Sequence, residues 1–191
     1  MKSDISIIEA RALLRKHVKQ EYVLAHSRET EAVMRALAAY FKEDGELWGI
    51  CGLLHDLDLD AIDNKLENHG KKTIEILKEE GFELPIIFRA ILSHAENLGF
   101  VSEKRVNNLE FALAAAENIT GIIIAYTLIL PEKKLEKVQP KSVLKRLKEK
   151  SFAAKVNREM INDIEKTGLT KDKFVEIAVG AIKEIAPELG F

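Results

Sequence analysis

Four histidines and two carboxylates carry the chemistry of this chain: His26, the dipeptide His55-Asp56, His69, His94 and Glu117. Imidazole nitrogen and carboxylate oxygen without thiolate suit Fe, Mn, Ni, Zn or, with fewer imidazoles used, Mg. A carboxylate can bridge two metals through its two oxygens, which an imidazole cannot. Asp56, next to His55, is therefore the natural bridge. The pair closes the apolar run Leu47-Trp48-Gly49-Ile50-Cys51-Gly52-Leu53-Leu54. A helix that is apolar almost all round belongs in the interior, so His55 and Asp56 are expected at the edge of a core. Glu117 is the only charge between Phe111 and Leu130. A buried ionised carboxylate is costly unless paired, and a bound cation would pair it.

These groups need helices to bring them together. The expected order begins with an amphipathic helix over about 8–18 and a second one opening at His26 and stopping near Asp44-Gly45. A third covers Glu46 to His55. An acidic loop with Asp58, Asp60 and Asp63 follows, and such residues most often make turns and caps. A fourth helix opens at Asn68-His69-Gly70, with Ile74, Leu77 and Thr73 inward, and ends at Gly81. A fifth runs from Pro85 to His94, and a long sixth from about Lys104 to Leu130. The last, Lys171 to Ile185, has Phe174, Ile177, Ala178, Ala181 and Ile182 on one face. Each of the four prolines suits a helix boundary. No clear period-2 run occurs, so the expected fold is all-α, a single-domain helical bundle. The metal-binding core is expected at about 22–130, with a basic helical extension over 131–191.

At 191 residues the chain can bury one substantial core. A net charge of −2 argues against bulk electrostatic binding to nucleic acid or to an anionic membrane. The stretch 111–130 is long enough to cross a bilayer. Its mid-stretch Glu117, Asn118, Thr120 and Gly121, and its amphipathic flanks, favour a central buried helix instead. The single cysteine, Cys51, excludes an internal disulfide and a multi-cysteine zinc site. It reads as a buried thiol packing as a small apolar group. His17, between Lys16 and Lys19, is expected on the solvated surface. No apolar segment follows Lys2 in the manner of a secretory signal, so a cytoplasmic location is expected.

The ordered set His26, His55-Asp56, His69, His94 and a late acidic residue resembles the HD-domain metal-dependent phosphohydrolases, over roughly Tyr22 to Leu130. His69 and His94 resemble its dinuclear branch. By that likeness His26, His55, Asp56 and Glu117 hold one divalent metal, and Asp56, His69 and His94 hold a second, with His55 and Asp56 the catalytic pair. One position departs from the pattern. The family has aspartate in a segment like Ala-Asp-x-Leu-x-Gly, and this chain has Ala116-Glu117-Asn118-Ile119-Thr120-Gly121. Glutamate is one methylene longer, and the small neighbours Ala114, Ala115, Ala116 and Gly121 leave room for it.

The activity that the resemblance implies is hydrolysis of a phosphate ester or anhydride by a metal-activated hydroxide, with a nucleotide or dinucleoside polyphosphate as substrate. Two metals lower the pKa of a shared water and neutralise the phosphoryl oxygens. Arg28 near His26, and Lys71 and Lys72 beside His69, are candidates for holding the phosphate. So are Lys145 and Arg158 in the segment 133–158, which has ten basic and two acidic residues. That segment has Phe152 as its one aromatic, so a nucleic-acid platform is disfavoured. Two other classes fit the same residues: a diiron oxygen-activating enzyme of this fold, and a non-catalytic module that binds metal or nucleotide.

Overall fold

Local capping sets where most helices start. Ser6 and Glu9 form a reciprocal capping box, with Ser6 Oγ accepting from Glu9 N at 3.3 Å and Glu9 Oε2 accepting from Ser6 N at 3.0 Å. Asp44 Oδ1 accepts from Glu46 N and Leu47 N at 2.8 and 3.0 Å. The structure, a computed structural model, describes residues 1–190. Its α-helices are α1 (Ile7–His17), α2 (Glu21–Phe41), α3 (Gly45–Leu54), α4 (Lys71–Glu79), α5 (Pro85–His94), α6 (Asn108–Ile129), α7 (Pro140–Lys148), α8 (Arg158–Asn162) and α9 (Lys171–Glu184). Among the described residues the only extended pairing is an isolated bridge between Lys2 and Phe82. The fold is all-α.

Helix α6 is the axis of the bundle. It touches α2, α3, α5, α7, α8 and α9, and it buries Ala112 to Ala116, Ile119, Ile122 and Ile123. By length and composition it could cross a membrane; here its apolar surface is used on neighbouring helices. Helix α3 lies along α2, and Gly52 allows the close approach. A Cβ at Gly52 would stand 2.8 Å from the carbonyl oxygen of Thr30, closer than a side chain can be placed without moving backbone. This contact brings the end of α3, and so His55, next to the first half of α2.

Several boundaries differ from the sequence expectation, each for a physical reason. Helix α2 begins at Glu21, so His26 lies in its second turn rather than at its start. The start is held from a distance: Asp60 Oδ2 accepts from Lys19 N at 2.7 Å and Asp60 Oδ1 from the Gln20 side chain at 2.5 Å. Helix α6 begins at Asn108 rather than near Lys104, because Asn107 Oδ1 accepts from Glu110 N at 3.1 Å. On α4 the buried set is Thr73, Ile76 and Leu77, and Ile74 is half-buried. On α9 Val175 and Val179 join the buried face and Ile177 is half-buried. That helix packs on α2, α6 and α7 together, so its apolar face is broader than one stripe. His17 is not free in solvent. Its Nε2 lies 2.8 Å from Glu80 Oε1, an acidic partner sixty-three positions away.

Candidate metal centre

The six sequence-selected residues come from five separate places in the chain. His26 projects from α2 and His55 stands just past the end of α3, with Asp56 in the turn that follows. His69 precedes α4, His94 ends α5 and Glu117 lies midway along α6. The structure brings all six together. His26, His55 and Glu117 offer ligand atoms within 4.8 Å of one another, and so do Asp56, His69 and His94. Asp56 stands between the groups. Its Oδ2 lies 3.3 Å from His55 Nε2 and 3.7 Å from His26 Nε2. Its Oδ1 lies 3.4 Å from His69 Nε2 and 3.8 Å from His94 Nε2.

The hydrogen bonds behind the rings decide which nitrogen is available. His55 Nδ1 is 2.7 Å from the carbonyl oxygen of Gly52, and His94 Nδ1 meets the carbonyl oxygen of Ile91. A carbonyl only accepts, so both Nδ1 atoms carry the proton. His69 Nδ1 donates to Asp58 Oδ1 at 2.8 Å. Thr120 Oγ1 donates to the carbonyl of Glu117 at 2.8 Å, so it accepts from His26 Nδ1 at 3.1 Å. All four rings are thereby fixed with Nε2 as the free nitrogen, and all four Nε2 atoms face the Asp56 carboxylate.

The Nε2 atoms also face one another in pairs, His26 with His55 at 3.2 Å and His69 with His94 at 3.0 Å. Two imidazole lone pairs at that separation repel unless a cation or a proton lies between them. The donor chemistry therefore fits divalent metal ions: nitrogen and carboxylate oxygen around a shared space, each imidazole oriented from behind. Without metal, protons take that place. Burial pulls His55 down, but the Asp56 carboxylate and Glu117 more than reverse it, and His55 rises to about 9. Burial and the neighbouring His55 push His26 down to about 4. The second pair divides in the same sense. Burial lowers His69, but Asp58 and Asp56 outweigh it and raise it, while burial and the other imidazoles drive His94 well below its ordinary value. Asp56 is itself held far below the usual carboxylate range by the imidazoles around it, against the opposing effect of burial.

Glu117 reaches the first group despite its extra methylene, and its Oε1 accepts from the Asn118 side chain at 2.7 Å. Burial pushes its carboxyl up to about 7, with His55 pulling the other way. Cys51 belongs to neither group. Burial pushes its thiol up to about 12, as suits a side chain packed as an apolar group.

Four supporting residues were not singled out as site residues by sequence reasoning. Asp58 is fully buried, and besides orienting His69 it accepts from Gly70 N at 2.7 Å and Thr73 N at 3.3 Å, so it also caps α4. Gly70 has φ +76 and brings the chain to 3.3 Å from the carbonyl of Ile91, measured at an added Cβ. Thr120 fixes His26. Arg105 ties the end of α5, where His94 sits, to the turn after α8, donating to the carbonyl of Ser93 at 3.0 Å and to Asp163 at 3.1 Å. The acidic spacing after His55-Asp56 was the available signal for Asp58. Nothing local marks Thr120 or Arg105. Replacing Asp58 by Asn is expected to weaken metal affinity by about 10–100-fold through the loss of ring orientation and basicity at His69. Metal titration of the Asn variant beside the wild type checks this, and equal affinities would remove the role.

The expected phosphate-holding cations differ in how far other groups already engage them. All five Arg158 donors turn to main-chain carbonyls: Leu147 and Glu149 at 3.0 Å, Val156 at 3.2 Å, Ala153 at 3.4 Å, and Phe152. The guanidinium closes the loop between α7 and α8 and has no donor left for a phosphate. Arg28 is committed to Glu31 and Glu188. Glu31 is buried and takes Arg11, Arg28 and Arg35 together, as a buried carboxylate must be paired. Lys71 donates to the carbonyl of Glu67 at 3.2 Å, Lys72 pairs with Glu75 at 2.9 Å, and Lys145 stays exposed on α7. Arg158→Met is expected to cost about 1–3 kcal/mol in unfolding free energy, through orphaned carbonyls. Denaturant melts will show that loss while kcat/KM stays near wild type; the reverse pattern would restore a substrate role.

The HD-domain profile matches residues 23–153. The chain belongs to the HD-domain family. The match covers more than half of the chain and includes every member of the cluster. It extends past α6 into the loop that Arg158 closes. The HD-domain family consists mostly of metal-dependent phosphohydrolases. The curated proteins and the solved structures yielded no match to this chain.

Proposed function

We propose that this HD-domain protein is a phosphohydrolase that holds two divalent cations and cleaves a phosphate ester or anhydride of a small molecule, with nucleotides the first class to test. One observation carries the reading: four imidazole Nε2 atoms, each fixed by a bond behind the ring, face the two oxygens of a single carboxylate in two pairs. His26, His55, Asp56 and Glu117 would hold one cation, and Asp56, His69 and His94 the other. Bound there, the cations would supply a water of lowered pKa and neutralise charge on the phosphoryl oxygens.

The protein's own part is positional. Gly52, Ile91, Thr120 and Asp58 fix the rings before any ligand arrives, so little reorganisation is needed on binding. Helices α3 and α6 exclude water from the back of the site with Leu53, Leu54, Leu113 and Ile119, all fully buried. With Arg28 and Arg158 committed elsewhere, charge compensation at the phosphate falls to the cations.

The test is elemental analysis of protein purified without chelator, then assays with Mn, Fe, Co, Ni, Zn and Mg against nucleotides and generic phosphoesters. The expected result is about two metals per chain and turnover that disappears in His55→Ala. No turnover with any of these metals would reject the reading. Iron-dependent oxygen consumption would replace it with the oxygen-activating one.

A further inference from the structure

A cavity of about 980 Å³ opens directly beside His26. It lies between α1, the first half of α2 and the second half of α6. Its walls are mostly aliphatic, including Leu14, Leu24, Ile124 and Leu128. Glu29 also lines it. Glu29 follows His26 by three positions, so the two side chains share one face of α2. It is only 5% exposed.

Among the described residues the Glu29 carboxyl has no hydrogen-bond or ion-pair partner. Of the neighbouring carboxylates, exposed Glu21 is likewise unpaired, while two others are paired. Glu31 has three arginines and Glu188 has Arg28. Arg11 and Arg28, which line the same cavity, are thus already engaged. Its oxygens are not among the fully enclosed atoms without partners, which are Ser27 Oγ and Thr73 Oγ1, so the carboxyl is open to the cavity that it lines. Burial alone pushes Glu29 up to about 8, and no nearby charge contributes. At neutral pH it is then mostly a neutral carboxyl, able both to donate and to accept.

We propose that this cavity seats the leaving group of the phosphorylated substrate, and that Glu29 selects a neutral, largely apolar leaving group carrying an N–H or O–H donor, as a nucleoside does. The inference rests on the phosphohydrolase reading and names the substrate side of the same site. Continuity supports the placement: His26 belongs both to the metal-ligand cluster and to the cavity wall. Charge supports the choice of a neutral group. The cavity is bordered by Arg11, Arg15 and Arg28, which oppose a cation, and by Glu21 and Glu188, which oppose an anion.

The experiment compares wild type, Glu29→Gln and Glu29→Leu in the full chain. Substrates are the four common nucleoside 5′-monophosphates and benzyl phosphate, whose ester group has an apolar ring and no hydrogen-bond donor. Glu29→Leu is expected to raise KM for the preferred nucleotide at least about tenfold, because a buried hydrogen-bonding site discriminates strongly against a lost partner. Benzyl phosphate should be unaffected, and Glu29→Gln, which keeps a donor and an acceptor, should stay close to wild type on both. Equal losses on both substrates, or no change on either, would overturn the proposal. Calorimetric titration of the corresponding nucleosides into chelated protein decides independently of catalysis. Binding that Glu29→Leu weakens supports the cavity assignment even if no phosphoester is cleaved, an outcome that would reject the hydrolase reading alone. Absence of nucleoside binding to the wild type overturns it even if phosphoesters are cleaved.

Discussion

On the proposed two-cation reading, Asp56→Ala will strip the protein of both metals and lower kcat/KM by about a thousandfold or more, the scale of losing metal-assisted charge stabilisation. Asp56 is the one group that faces both histidine pairs, through Oδ2 on one side and Oδ1 on the other. Removing it leaves four imidazoles with Glu117 and Asp58 as the nearby acids, and two cations would then repel across the gap without a carboxylate between them. His94→Ala makes the informative contrast. It removes one member of the Asp56, His69, His94 group and leaves His26, His55, Asp56 and Glu117 in place. Elemental analysis should find metal nearly absent in Asp56→Ala and about halved in His94→Ala. Equal metal content in Asp56→Ala and wild type would show that the carboxylate does not bridge.

Metal loading will release protons at neutral pH and will raise the melting temperature; the thermal gain grows as pH rises toward 9, while the number of protons released falls. In the metal-free protein His55 stands at about 9, so the first pair holds a proton at pH 7, and Asp58 and Asp56 raise His69 above its ordinary value. A proton held there must leave when a cation binds. The free protein is therefore the more protonated form, and affinity increases with pH, about tenfold per unit for each proton displaced. For His55 the gain levels off above about 9, and acid weakens binding throughout the range below it. At a hundredfold excess of metal over its dissociation constant the native state gains about 2.7 kcal/mol. For a chain of this length that is a rise of roughly 5–10 °C. Calorimetry in buffers of different ionisation enthalpy counts the protons, and melts with and without chelator measure the shift. Binding with no proton release at pH 7 would contradict the paired-imidazole arrangement.

The ligand set was legible in the sequence because its members are unusual where they stand. His55-Asp56 terminates an apolar run, and Glu117 interrupts another. An ionisable group at the edge of, or inside, an apolar helix needs a partner, and that requirement can be read without coordinates. The helical pattern was legible for a related reason, since α1, α5 and α9 each repeat apolar residues at helical spacing and carry local caps or prolines.

The engagement of the cationic residues was not legible, because charge at the surface carries no information about its partner. Arg28 and Arg158 look alike in the sequence as free guanidinium groups. One is drawn to the buried Glu31 and to Glu188, and the other to five carbonyls of a loop. Glu29 was missed in the same way. It reads as one more acidic residue on α2 until the neighbouring helices bury it.

By itself, then, the sequence determined an all-α chain with six residues fit to hold metal, because helical periodicity and the cost of burying charge are local properties. Tertiary structure alone decided which ring nitrogens are free, how Asp56 divides its oxygens, and which charges remain available. Those depend on contacts such as His26 with Thr120 and Arg28 with Glu188, between residues far apart in the chain. The packing of α2 against α3, α6 and α9 sets those distances.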